Sequence, residues 1–566
     1  MNGMLLLLGV VILFLIAYIG YGAFLKRTFG VDPSRPCPSE TKKDGIDYIP
    51  TPLCVLFGHH FASIAGAGPI VGPVLAAYLG WGPAMMWIVL GCIFIGSMHD
   101  FAAMFLSVRN EGRSIAYIIE KELGYAGRQI FLFFCVATLI LVVAVFTSQV
   151  ASSFVTTPAV ATSSILFILI APIFGVLTNK KILSLAVATC IFVPLLFVCV
   201  WLGTVIPFDL MKILGCEKAA ATNIWAVVLL IYAFCASILP VWVLLQPRDY
   251  LNSYLLYVMM LLGFLGIAFY HPTLNVPAFA CEGKLTPSLF PLLFVTIACG
   301  ACSGFHAIVA SGTSSKQIAK ESHVLPVGYG GMLIEGVLAT MTIISVCYLN
   351  LDELKEMLSG ANKVPPAVAF AKGLAQFSTK LGLPYDAALN FVSLSISAFM
   401  LTSLDTAARL ARFIWQEMVL PKGSAESSDN ADAPQPPMSP TRQFFASRWT
   451  STTIIILLGG WLVLSGEGNH IWPIFGAGNQ LLATLTLLAV SLWLMRTKRP
   501  VLFALLPMFF MLIISGWALV ILIKQNIDKN WSLVFIAAFL LVMALALLAL
   551  SFKKMKETKA AQKQQA

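Results

Sequence analysis

Apolar residues run in long stretches along this chain, and polar residues gather in the gaps between them. Fifteen stretches stand out: 4–25, 52–80, 83–107, 128–150, 159–178, 182–203, 222–245, 252–270, 289–312, 326–349, 387–408, 450–465, 471–495, 500–523 and 532–552. A helix rises about 1.5 Å per residue and a bilayer core is about 30 Å thick, so roughly 20 apolar residues cross it. The pattern predicts an all-α polytopic integral membrane protein with about 15 transmembrane helices, one per stretch. Two stretches are irregular: 52–80 is long and broken by Gly-Pro, and 450–465 is short. The basic residues of the first stretch, Lys26 and Arg27, follow it, so it reads as a retained helix and not a cleavable signal.

The gaps set the orientation, because Lys and Arg accumulate in cytoplasmic loops. With the N-terminus outside and the C-terminus cytoplasmic, 27 of the 36 basic residues fall inside and 9 outside, with every Arg inside. Residues 422–446 are rich in Ser, Asp, Pro and Ala and read as a disordered cytoplasmic linker. They separate a membrane core (1–421) from further membrane helices (447–552), and residues 553–566 form a basic, solvated tail. Residues 113–124 and 365–380 read as short amphipathic surface helices.

Composition narrows the function. Apolar residues make up 59% and charged residues only 11%, against about 25% in a soluble domain. Too few polar side chains exist to coat a soluble enzyme, a disordered regulator or a nucleic-acid binder. The net charge of +10 is spread between apolar runs, so it points to a lipid bilayer and not to nucleic acid. The 12 Cys form no metal or disulfide framework, although Cys216 and Cys281, both in outer loops, could pair.

Two stretches are interrupted near their middles. Helix propensity collapses at residues 66–69 (GAGP) of the second stretch and at 299–306 (CGACSGFH) of the ninth. A break at membrane depth is tolerated only where it lines a cavity or is buried in protein. The two broken helices run in opposite directions, and each opens a set of five spans, the first about 52–203 and the second beginning about 289. Inverted repeats that open with discontinuous helices are the signature of a secondary transporter with a midplane site. Freed N–H groups at half-helix starts near Pro69 and Phe305 suit an anionic cargo group. Substrate-binding candidates are therefore His59, His60, Gly66, Ala67, Gly68, Ser303, Gly304, Phe305 and His306. Intramembrane imidazoles are costly and suit proton relay. Glu335, nine residues into its span, is the acid nearest mid-membrane, and a lone carboxylate there keeps a transferable proton. His60 and Glu335 are the proton-coupling candidates. Three His without a clear fourth ligand leave no metal site, and no cofactor is implied.

Asp100 and Asp405 lie near cytoplasmic ends close to Arg109 and Arg409, which suggests gate or structural ion pairs. Asn479 and Gln480 suit interhelical hydrogen bonds. Ser303 beside His306 is the one hint of a nucleophile. The 422–446 linker is the one feature that would serve a membrane nutrient sensor instead.

Residues 58–73 (GHHFASIAGAGPIVGP), 97–101 (SMHDF), 300–316 (GACSGFHAIVASGTSSK), 404–407 (LDTA) with Arg409 and Arg412, and 471–476 (IWPIFG) with Asn479 and Gln480 resemble the carbon starvation protein A (CstA) family. The likeness runs from about residue 1 to 552. It implies a bacterial or archaeal inner-membrane transporter with LeuT-like, amino acid–polyamine–cation-type inverted repeats. It also implies uptake of peptides, or of pyruvate with a proton, by alternating access. By the same likeness Thr402 and Ser403 occupy roughly the place of a sodium site, which makes them a candidate ion site. Pyruvate or a similar small carboxylate is the first substrate expected, and a peptide is the alternative.

Overall fold

The computed structural model describes residues 1–44, 48–240, 243–280, 288–360, 363–421, 438–465 and 471–565. The described residues are almost all helical, and their only bridges are two isolated ones, Asn2 with Thr273 and Thr51 with Ile318. The principal helices are α1 (Gly3–Phe29), α2 (Leu53–Ile64), α3 (Gly68–Ala76), α4 (Trp81–Arg109), α5 (Ile115–Thr156), α6 (Pro158–Asn179), α7 (Leu185–Val205), α8 (Lys218–Ile238) and α9 (Leu245–Tyr270). They continue with α10 (Leu293–Thr296), α11 (Gly304–Gly312), α12 (Gly331–Cys347), α13 (Tyr385–Val419), α14 (Arg448–Leu464), α15 (Ile471–Arg496), α16 (Leu502–Asn526) and α17 (Trp531–Gln565).

Among the described residues, 12 helices are long and apolar enough to span, and two bent pairs raise the number to 14. One pair is α2 with the helix Gly68–Leu79, bent by 43°. The other is Pro440–Ala446 with α14, bent by 59°. The remaining predicted span, 289–312, is broken into a π-helical turn (Ser288–Leu292) that runs into the four-residue α10, and the nine-residue α11.

Contacts at the helix ends sort the loops into two groups. Thr51 meets Gln317, Arg499 meets Thr28, Arg109 meets Glu321 and Arg128 meets Glu417. In the other group, Gly3 meets Pro272, Gly82 meets Ala278 and Asn275 meets Tyr348. Both groups join only segments that the span count places on one side. The helices are layered as a membrane bundle requires. The most apolar window of α15 is 100% buried, whereas that of α7 is 22% buried and turns Trp201, Ile191 and Val205 outward. Lipid is as apolar as Leu, so packing between such helices depends on small residues. Gly476 illustrates this, since a Cβ there would lie 2.1 Å from the Val295 carbonyl oxygen.

Two local expectations change. Residues 422–437 of the expected linker lie outside the described residues, but Pro440–Ala446 is helical. Trp415 and Gln416 tie it down by donating to the carbonyls of Phe445 and Ala446. The helix Pro366–Ser378 is no surface element, because ten of its residues are buried. The tail is helical to Gln565, continuing α17. Cys281 lies outside the described residues, and Cys216 carries a free thiol.

Candidate functional site

The two interruptions meet. Helix α2 stops where Ala65 leaves helical geometry (ψ 52°), and α3 starts at Gly68 with Pro69 in its first turn. The first half of one broken helix packs on the second half of the other, α2 on α11 and α3 on α10, so the two run antiparallel. Glycine permits the approach. A Cβ on Gly68 would fall 2.2 Å from the Cys299 Cβ, and one on Gly72 would fall 2.4 Å from the Thr296 carbonyl oxygen. Gly66 faces Ser403 in the same way, at 2.4 Å from its hydroxyl.

The half-helix starts are not equivalent. Asn479 of α15 accepts from the Phe305 N–H at 2.8 Å and donates to the Ser303 hydroxyl at 3.0 Å. The N–H expected to be free at Phe305 is therefore occupied, and Ser303 is held by Asn479 and not activated by His306. The start of α3, at Ala67 and Gly68, carries no side-chain cap.

Beside this crossing lies a sealed cluster of acids and imidazoles. His306 Nδ1 donates to Asp100 Oδ2 at 2.8 Å, and His99 Nδ1 donates to the other oxygen of Asp100, also at 2.8 Å. The far nitrogen of His306 lies 3.4 Å from Glu335 Oε2. His60 contacts the Ser314 hydroxyl through Nδ1 at 2.8 Å. All five side chains are 0% exposed. Both oxygens of Glu335 and the Nε2 atoms of His60, His99 and His306 make no hydrogen bond. Buried polar atoms are normally satisfied, so this concentration of unpartnered ones makes the cluster a candidate site. A π-helical turn precedes each acid on its helix: Cys92–Gly96 before Asp100, and Leu325–Gly330 before Glu335. Such turns gather at functional sites.

Asp100 thus departs from the sequence expectation. It faces the cluster, and Arg109 pairs with Glu321 at 2.7 Å instead. Asp405 departs too. It is bound by Arg248 and by the Tyr232 hydroxyl at 2.7 Å, whereas Arg409 donates to the carbonyls of Ala236 and Leu239. Arg248 is a buried residue of α9 and not a loop charge. Asp249 follows it, with both oxygens lacking hydrogen bonds and with His59 Nδ1 at 3.4 Å. The two adjacent His are thereby divided, His60 to the first cluster and His59 to the second. Thr402 accepts from Asn252 at 3.0 Å, and the Ser403 hydroxyl has no hydrogen-bond partner. Sequence reasoning missed His99, Tyr232, Arg248 and Asp249. The adjacent His99–Asp100 pair in an apolar run was the available signal. Among the described residues no three of His, Cys, Asp and Glu are placed to hold a metal ion.

On the face that carries Arg109 and Arg409, a cavity of about 420 Å³ opens between α5, α11 and α13. A narrower one beside it is lined by His59, Thr406 and Arg409.

A family model described as carbon starvation protein CstA matches residues 2–365 and 356–518. The peptide transporter CstA of Escherichia coli (strain K12) is 31% identical, over 91% of this chain and 81% of its own length. The peptide transporter CstA of Bacillus subtilis (strain 168) is 31% identical, over 92% and 90%. The pyruvate/proton symporter BtsT of Escherichia coli (strain K12) is 29% identical, over 89% and 80%. Among solved structures, a manganese transporter of Eremococcus coleocola shares the fold, with a TM-score of 0.50 at 10% identity, covering 92% of this chain and 99% of that one.

Proposed function

The chain belongs to the carbon starvation protein CstA family, and from that premise we propose that it is a secondary active transporter importing a small carboxylate, pyruvate first, together with a proton. The observation that carries this reading is the buried Asp100–His306–Glu335 array at the crossing of two antiparallel broken helices. An imidazole held between two carboxylates passes or keeps a proton without water, and the uncapped start of α3 favours an anion. Cargo and proton thus meet at one place, which is what coupling requires. The coupling ion in this reading is the proton, because the acids stand with imidazoles and not with the hydroxyls of Thr402 and Ser403. The protein acts as a carrier and not as an enzyme. The N-terminus lies outside and the C-terminus in the cytoplasm of a bacterial inner membrane, following the distribution of Lys and Arg.

Peptide import is the second reading. It is favoured by the relatives that are named peptide transporters and by the size of the 420 Å³ cavity. Uptake of labelled pyruvate and of alanyl-alanine into proteoliposomes under an imposed pH gradient decides between them. Gradient-dependent pyruvate uptake is expected. Uptake of the dipeptide alone reverses the order, and uptake of neither removes the carrier reading.

A further inference from the structure

One surface of the bundle joins exposed aromatic rings to arginines. It is built by the helix Pro440–Ala446 and the first residues of α14, with only Ser447 between them. Phe444 is 62% exposed, Phe445 39% and Trp449 61%. Arg442 and Arg448 stand among these rings and are exposed too. The sequence from 438 to 449 contains no acid. Exposed rings gathered in so short a stretch mark a contact surface.

The local structure says what it contacts. The 17 residues of α14 rise about 26 Å, close to the roughly 30 Å of a hydrocarbon core. The helix Pro440–Ala446, with Arg442 and Gln443, is therefore left at the boundary between lipid and water. It is bent by 59° from α14, which turns it off the span's axis toward the membrane plane. Successive caps fix the bend: Ser439 accepts from the Arg442 N–H at 3.4 Å, and Ser447 accepts from the Thr450 N–H at 3.1 Å. Trp415 and Gln416 hold the carbonyls of Phe445 and Ala446 on the face where Arg128 meets Glu417. On the other side of the bend, Trp449 lies against the Phe234 ring at 6.2 Å. The bend is thus a built part of the bundle.

We propose that residues 440–449 are a docking surface for anionic phospholipid. Phe444 and Trp449 sit at the boundary of the acyl chains, where aromatic rings are favoured, and Arg442 and Arg448 engage phosphate. The partner is an anionic lipid and not the bilayer at large. A zwitterionic headgroup carries its own cation beside its phosphate, whereas an anionic headgroup leaves its charge to the two guanidinium groups. The surface is independent of the cargo and of its coupling ion.

The test uses the full chain in nanodiscs, with an NBD fluorophore on Gln443→Cys and with the exposed Cys54, Cys190 and Cys235 replaced by Ser. Quenching by nitroxide-labelled phosphatidylglycerol is compared with quenching by the same fraction of nitroxide-labelled phosphatidylcholine. One arginine near a charged surface changes affinity about fivefold, so phosphatidylglycerol is expected to be preferred by about fivefold or more. Arg442→Gln with Arg448→Gln should bring the ratio to about one, and Lys at both positions should keep most of it. Raising sodium chloride from about 0.1 to 1 M shortens the screening length from about 10 to 3 Å and should lower the ratio with both arginines in place. This arm needs no change at either arginine, so a variant that fails to fold does not leave the matter open. A ratio near one with both arginines present, a preference that survives the double substitution or 1 M salt, or no quenching by either lipid overturns the docking surface.

Discussion

Two buried charge clusters lie on either side of the His59–His60 pair, and they are built from different cations. Around Asp100 and Glu335 the partners are imidazoles, which gain and lose protons near neutral pH. Around Asp405 and Asp249 the partner is the guanidinium of Arg248, which stays charged, and Tyr232 completes it. The cations of the first cluster can all change their charge, whereas in the second the main cation, Arg248, cannot, and His59 touches it only through Asp249 at 3.4 Å. Both carry the desolvation cost of burial, and in the proposed carrier reading the first is the one that couples to a proton gradient. The second fixes α8, α9 and α13 to one another beside it. Burial of charge alone therefore does not mark the working site. In the proposed carrier reading, the chemistry of the cation does.

Four substitutions test that contrast. The largest effect on stability is expected from Arg248→Met, which leaves two buried carboxylates unmatched and costs about 3–5 kcal/mol. Thermal unfolding in detergent measures it, and adding Asp405→Leu should restore much of the loss. An unchanged unfolding temperature would remove the structural role of the second cluster. Next is Asp100→Asn. It should reduce gradient-driven uptake to background, because His99 and His306 lose their shared acceptor, while the folded yield stays closer to wild type than in Arg248→Met. Glu335→Gln should be narrower still: accumulation against a gradient is lost, but solute exchange at equal pH on both sides continues. Retained accumulation would exclude Glu335 from coupling. The smallest effect belongs to His59→Gln. Its contact with Asp249 is 3.4 Å long and the ring is 14% exposed, so a change of under about 1 kcal/mol, less than fivefold in uptake, is expected.

The bundle was legible in the sequence because hydrocarbon leaves a chain little choice: a span must be long, apolar and helical. The breaks were legible for the same reason, since Gly66, Gly68 and Pro69 in an apolar run have no use in a plain rod. His60, His306 and Glu335 stood out as costly residues at depth. What sequence could not reveal was who meets whom. Asp100 is nine residues from Arg109, and local spacing suggested that pair. Its actual partner, His306, is 206 positions away. Asp405 finds Arg248 across 157 positions, and Asn479 reaches Phe305 across 174. Such contacts depend on how helices cross, and crossing angles and depths are not written in the local pattern.

The two π-helical turns have a mechanical consequence. Each winds one extra residue into a membrane rod just before an acid, at Cys92–Gly96 and at Leu325–Gly330. If that surplus were unwound into ordinary α-helix, everything beyond it would rotate by about 100°. Asp100 would swing off His306, and Glu335 would turn away from the same ring. A rod of this kind holds a ready-made twist, so a modest rearrangement of a few backbone hydrogen bonds is enough to gear the acids out of register with the imidazole between them.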